Sequence, residues 1–290
     1  MSTFYGHIGA VYDQQEEYNK ALGYHLKSLE ILISIYGENH SQVGALYHNI
    51  GLIYDNLEES KKALECYLKA LEIDESTQTR PDNAISYMNI GGIYQLEGEY
   101  KQALGYYLKS LEISKSAYGE NYSQVAASYD RIASLYEEQK EYKKALKFYS
   151  KSLYIRKSIY GENHPETAVS YSNTAGVYRN KGEDKIALGY LLKCLEIEKL
   201  VYGEDHIETA DSYNNLGKVY EKLGDNMNTL KYYAKALHIR KMVHGENHHE
   251  TMEVQNKILQ MTAITRDNQQ LGLENAMFIH KCLCDACSYC

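Results

Sequence analysis

The sequence predicts an all-α solenoid built from stacked antiparallel helical hairpins. Three sets of residues carry that expectation. Tyr5, Tyr47, Tyr87, Tyr129, Tyr171 and Tyr213 are spaced 42, 40, 42, 42 and 42 residues apart. Tyr12, Tyr54, Tyr94, Tyr136, Tyr178 and Tyr220 take the same steps. So do Ala21, Ala63, Ala103, Ala145 and Ala187, with Thr229 in the sixth place. A period of this length marks units that stack and contact only their neighbours. Such an array offers extended surface, so the period itself tilts the expected function toward binding.

Residues 163–204 show one unit in full. It opens Asn163-His164-Pro165-Glu166, which reads as a capping box with a proline just inside the helix start. Asp205 with Glu208 and Asn247 with Glu250 repeat the box, and Asn39 with Gln42 and Asn121 with Gln124 are its glutamine forms. Tyr171, Thr174, Ala175 and Tyr178 then lie at i, i+3, i+4 and i+7, the buried face of a first helix. Gly182 suits the left-handed turn that ends it. A second helix carries Ile186, Ala187, Tyr190, Leu191, Cys194, Leu195 and Ile197 and stops at Gly203. Small residues at Gly9, Gly51, Gly91, Ala133, Ala175 and Gly217 are expected to let the paired helices approach closely.

Applied along the chain, this template places six repeats within residues 1–254, at about 1–38, 39–80, 81–120, 121–162, 163–204 and 205–246. Residues 247–266 keep the first-helix spacing, with Ile258 where Leu216 stood and Gln255 in place of Tyr213, and read as a capping helix with a more polar outer face. Residues 267–290 form a Cys-rich tail that is expected to be disordered. The second connector, residues 75–83, is two residues short and lacks Gly-Glu-Asn-His, so the stacking should change locally there. Met1 falls inside the first helix pattern without a capping box, which suits a piece of a longer protein.

Composition narrows the function classes. Hydrophobic residues make up 44% and charged residues 24%, enough for a core and for solubility. Thirty tyrosines stand against three phenylalanines and no tryptophan, as suits a thin array whose rings keep one end near water. A net charge of −8 without a basic patch argues against nucleic acid. No apolar run is long enough to span a bilayer, and the N-terminus lacks a signal-peptide pattern. Six cysteines placed unevenly suit a reducing interior, hence a cytoplasmic location.

The run Tyr47-His48-Asn49-Ile50-Gly51-Leu52-Ile53-Tyr54, followed by Ala63 and Ala70, resembles a tetratricopeptide repeat. The 42-residue length and the Gly-Glu-Asn-His-Pro connector resemble the repeats of kinesin light chains in particular. No heptad coiled coil of the kind that joins such a chain to a motor is present. The resemblance implies a right-handed superhelix whose first helices line a concave groove for peptides, with no catalysis and no cofactor. It also implies which stripe faces that groove: Ala45, Asn49, Leu52 and Asn56 in the second repeat. The equivalents of Asn49 are His7, Asn89, Arg131, Asn173 and Asn215. A primary amide both donates and accepts, so a row of them can pair with the backbone of an extended peptide. Arg131, Arg179, Asn180, Lys218 and Lys222 complete the expected peptide-binding set; Asp55, Asp130, Glu138, Asp211 and Glu221 oppose its positive charge.

The expected partner is therefore a protein engaged through a linear peptide segment. Two other readings stay open: a sensor or regulatory arm of a larger enzyme or signalling protein, and a metal- or redox-responsive module acting through the tail. Cys282, Cys284, Cys287 and Cys290 hold CxxC spacings there, though one tetrahedral site from pairs so close would be strained. His40, His164, His206 and His248 share one connector position in successive repeats, so they read as capping and packing residues rather than a metal or catalytic set. No P-loop, dinucleotide fingerprint, GxSxG elbow or HExxH spacing occurs.

Overall fold

A computed structural model describes residues 1–77 and 83–267. Among these residues every element is an α-helix, thirteen in all. The chain packs as two units that divide between Lys140 and Glu141. The Cys-rich segment and the centre of the second connector lie outside the described residues.

The first unit holds α1 (Ser2–Gln14), α2 (Tyr18–Tyr36), α3 (Ser41–Asn56), α4 (Ser60–Thr77), α5 (Asn83–Leu96), α6 (Tyr100–Tyr118) and α7 (Ser123–Glu138). α1 packs on α2, α3 on α4 and α5 on α6 as hairpins, and each second helix also packs on the next first helix. α5 touches α7 directly, so successive first helices here share one wall. The second unit holds α8 (Tyr142–Tyr160), α9 (Pro165–Asn180), α10 (Asp184–Val201), α11 (Ile207–Lys222), α12 (Asn226–His244) and α13 (His249–Asp267), each packed on its neighbour in sequence.

The apolar period dictates this layering, because no single helix can bury its own stripe. Ile50, Ile90 and Ile132 are fully buried, as are Leu216 and Val219 in the second unit. Burying each such side chain contributes about 1.5–3 kcal/mol. The two tyrosine sets pack on side chains of the second helices. Tyr12 stacks on Tyr24, Tyr94 on Tyr106, and Tyr220 on Tyr232, each pair with centroids 5.4 Å apart. The first-set rings are covered by lysines of the second helix: Lys69 over Tyr47 at 5.2 Å, Lys109 over Tyr87 at 5.3 Å, Lys193 over Tyr171 at 5.3 Å and Lys235 over Tyr213 at 5.0 Å. A cation over an aromatic face is attractive, and the lysine stem shields the ring from water.

One sequence expectation needs correction. The Asn–Glu capping boxes do not form as proposed. The N-caps of α3, α9 and α11 are His40, His164 and His206, whose Nδ1 accepts from the backbone N–H of Gln42, Glu166 and Glu208 at 3.2–3.3 Å. Each capping ring also stacks on a tyrosine at the end of the preceding helix, at 4.4 Å for Tyr36 and 4.4 Å for Tyr160, the last residues of α2 and α8, and 4.7 Å for Tyr202, the C-cap of α10. That stack fixes the imidazole one residue beyond the asparagine or aspartate, where its nitrogen reaches the orphan donors. Tyr122 takes the same place before α7 and caps with no side-chain bond. On α13, Met252 and Leu259 are exposed beside the polar residues.

The hairpin turn is repeated more strictly than its sequence suggests. Gly182 takes φ +83, as the helix end requires. Glu16, Glu58 and Lys140 hold the same turn position at φ 59–60, a region costly for side chains with a Cβ.

Candidate functional site

The close-approach glycines do more than bring backbones together. A Cβ at Gly51 would stand 2.7 Å from the Tyr67 ring, at Gly91 2.6 Å from Tyr107, and at Gly217 2.4 Å from Tyr233. In the first repeat the ring over Gly9 is His25, at 2.8 Å. Each ring starts on a second helix and lies in the notch of its glycine, and the hydroxyls of Tyr107 and Tyr233 reach the first helix. Tyr107 donates to Gln95 Oε1 at 2.7 Å, and Tyr233 donates to Glu221 Oε2 at 2.6 Å. Burial pushes the Tyr107 hydroxyl up to about 12 and raises that of Tyr233, so both remain protonated donors.

On the first unit, Asn49 and Asn56 on α3 and Arg131 on α7 are exposed, while Asn89 on α5 is half-buried. Gln95 ties α5 to α7 through Ser134 at 3.3 Å and Glu138 at 2.5 Å. His48 Nδ1 lies 2.9 Å from Ser86 Oγ, tying α3 to α5. Burial raises the Asp55 carboxyl above its ordinary value, and the nearby Arg131 guanidinium opposes that shift. The first-unit wall thus combines amides, one guanidinium and the carboxylates of Asp55 and Glu138.

The second unit has a different character. Asn173 and Asn215 are half-buried on α9 and α11, Arg179 is half-buried, and Asn180 is exposed. Lys218 is half-buried, and its ammonium is held below the ordinary value by burial and by Lys257, with Arg179 and Arg240 adding to the effect and Glu253 opposing it. Lys222 reaches Asp184 at 3.9 Å. Of the acidic residues that the sequence set against these cations, Glu221 is bonded to Tyr233 and Asp211 pairs with the buried Arg240 at 2.5 Å.

The expected residues divide between the units, with Asn49, Asn56, Asn89 and Arg131 in the first and Asn173, Arg179, Asn180, Asn215, Lys218 and Lys222 in the second. The structure also reveals functional candidates beyond the sequence reading. Tyr67, Tyr107 and Tyr233 were legible in principle, since each follows its glycine by 16 residues. Lys257 stands 42 residues after Asn215 and so holds the asparagine position on α13, where it pairs with Glu253 at 3.3 Å. Among the described residues no group of three or more His, Cys, Asp or Glu is placed to hold a metal ion, and Cys282, Cys284, Cys287 and Cys290 lie outside them. No helix among the described residues is long and apolar enough to cross a membrane.

Antiparallel hairpins of 42-residue period, with glycine notches, second-helix alanines and polar first-helix faces, define a helical repeat protein. The tetratricopeptide repeat family matches residues 1–76, 82–153, 124–197 and 173–226, and a second form of the repeat matches residues 209–250. The chain belongs to the tetratricopeptide repeat family. No curated protein matches it by sequence. Among solved structures, BtubC (BKLC) from P. vanneervenii is 19% identical with a TM-score of 0.68, covering 79% of this chain and 92% of its own. A putative kinesin light chain of nearly identical repeats from Podosopora anserina is 17% identical with a TM-score of 0.60, covering 69% and 96%. The apo quorum sensor NprR from B. thuringiensis is 18% identical with a TM-score of 0.60, covering 90% and 76%. At these identities the likeness is one of fold.

Proposed function

We propose that this chain is a non-enzymatic, kinesin-light-chain-like adaptor that holds an extended peptide segment of a partner protein against its first-helix faces. One observation carries the reading. Asn49, Asn89, Asn173 and Asn215 recur at a single repeat position, Asn49 exposed and the other three half-buried, on helices whose other side is packed. Amides at that interval suit the alternating donors and acceptors of an extended backbone. Arg131, Arg179, Lys218 and Lys222, with Asn56 and Asn180 beside them, would then select side chains, acidic ones first. Exposed pairs contribute only about 0–1 kcal/mol each, so micromolar affinity spread over many contacts is the expectation. A cytoplasmic setting accords with the free thiols of Cys66 and Cys194.

The test is selection of binders from a displayed library of unstructured peptides, followed by titration against the Asn173→Ala/Asn215→Ala variant. Binding should weaken by roughly tenfold if two backbone-reading amides are lost. Unchanged affinity in a variant that melts like the wild type sinks the reading.

A further inference from the structure

The outward side of the second helices carries a pattern that the peptide-holding faces do not use. Leu26 on α2, Leu68 on α4 and Leu108 on α6 share one repeat position and are 39%, 41% and 45% exposed. One turn further along each helix stands an exposed glutamate: Glu30, Glu72 and Glu112. The two positions change together. In the remaining repeats Leu192 is followed by Glu196, whereas Ser150 is followed by Tyr154 and Ala234 by His238. One turn before this position a lysine stands only where the leucine is missing, as Lys147 and Lys231. Leucine and glutamate are thus kept or lost as one device, and the unbroken run of three lies in the first unit.

The helices that bear the run are neighbours across one core. Leu29 and Leu32 of α2 share an apolar cluster with Ile73 of α4, and Leu71 of α4 shares one with Tyr106 of α6. Helices packed around a core lie about 8–10 Å apart, close to the roughly 10.5 Å over which a helix repeats its stripe in seven residues. One leucine per repeat therefore suits the apolar stripe of a helix laid across them. The surface beside the leucines is open, since a Cβ at Gly23 or Gly105 would meet nothing within 4 Å.

The charge beside the leucines is one-sided. Lys27, Lys69 and Lys109 stand three residues before the glutamates, where an i,i+3 pair could form. Their ammonium groups lie instead over the rings of Tyr24, Tyr47 and Tyr87, at 5.7, 5.2 and 5.3 Å. Glu30, Glu72 and Glu112 make no ion pair among the described residues. Lys61 and Lys101, also exposed, stand two turns before the leucines. A row of leucines edged by uncompensated carboxylates fits an apolar stripe edged by cations.

We propose that the outward face of α2, α4 and α6 docks a basic amphipathic helix of a partner protein. Its apolar stripe seats on Leu26, Leu68 and Leu108, and its lysines or arginines pair with Glu30, Glu72 and Glu112. This surface lies on the second helices, away from the first-helix faces that hold the peptide, and neither reading depends on the other.

The probe is a dye-labelled helical peptide of three Leu-Lys-Ala-Ala-Leu-Lys-Ala heptads, titrated with the full chain and read by anisotropy. Leu26→Ser/Leu68→Ser/Leu108→Ser should weaken binding by roughly tenfold or more. Glu30→Gln/Glu72→Gln/Glu112→Gln should weaken it similarly and flatten its salt dependence. All six side chains are exposed, so both variants should melt near wild type. The glutamine variant removes no apolar contact and keeps the test valid if the serine variant melts early. Leu192→Ser and Asn173→Ala/Asn215→Ala should each leave binding unchanged. Wild-type affinity in a folded triple variant overturns the proposal, since the probe is then held by charge alone or by apolar contact alone. Equal weakening by Leu192→Ser, or by Asn173→Ala/Asn215→Ala, places the probe elsewhere and overturns it too. A wild-type dimer in sedimentation that the serine variant abolishes gives this face to a second copy of the chain, which also overturns it.

Discussion

Gly217 and Tyr233 are matched to one another: a methyl group on the glycine would stand 2.4 Å from the ring, which is itself 0% exposed and anchored to Glu221. The ring cannot retreat without breaking its hydrogen bond or leaving the α11–α12 core. Gly217→Ala should therefore destabilise the second unit by about 1–3 kcal/mol, despite the better helix propensity of alanine. Chemical denaturation checks it, and recovery in Gly217→Ala/Tyr233→Leu would show that the ring is the obstacle.

The hairpin turns give a prediction of opposite sign. Glu58 and Lys140 occupy at φ 59 and φ 60 the place that glycine holds at Gly98, Gly182 and Gly224. Glu58→Gly and Lys140→Gly should each stabilise by about 0.5–1 kcal/mol, because relief of the left-handed strain exceeds the added chain entropy. Melting curves of the two variants decide it.

How far the sequence could be read follows from these two cases. The 42-residue period placed the hairpins because burial repeats whenever the tyrosines and alanines repeat. Capping was misjudged by one residue because asparagine and aspartate are the familiar caps, and nothing in spacing alone reveals that Tyr160 would hold His164 by ring stacking. The solvent exposure of Asn49 was legible from its helix register. The bonds of Tyr107 and Tyr233 to the first helix were not, since the 42-residue period does not show how far a second-helix side chain crosses the glycine notch.

His164 and His206 lead to a third expectation. Each caps through Nδ1 and stacks on a tyrosine. His164→Ala should cost about 1 kcal/mol, with His164→Asn recovering much of it through an ordinary side-chain cap. If alanine and asparagine variants melt alike, the imidazole contributes by stacking alone.

Glu198 supplies a pH test. Its carboxyl is raised by burial first, with Glu208 and Asp211 adding to the shift. Cys194 Sγ donates to Oε1 at 3.2 Å, and hydrogen bonds from Ser212 and Cys194 oppose the shift. A raised carboxyl means that the folded state prefers the protonated form. The cost of ionising Glu198 is absent below the unfolded value of about 4.3 and grows as pH rises through the folded value. Glu198→Gln should thus gain stability over wild type at pH 7 and much less at pH 4. An equal difference at both pH values refutes the assignment.

The absence of tryptophan gives the stacked tyrosines a practical consequence. Tyr12 with Tyr24, Tyr94 with Tyr106, and Tyr220 with Tyr232 couple their transition dipoles across the two arms of separate hairpins. Near-ultraviolet dichroism is therefore a built-in optical gauge of whether those arms are closed, with no indole band to mask it. Replacing one member of a pair by leucine would silence that hairpin's contribution, so the opening of each repeat could be watched separately during unfolding.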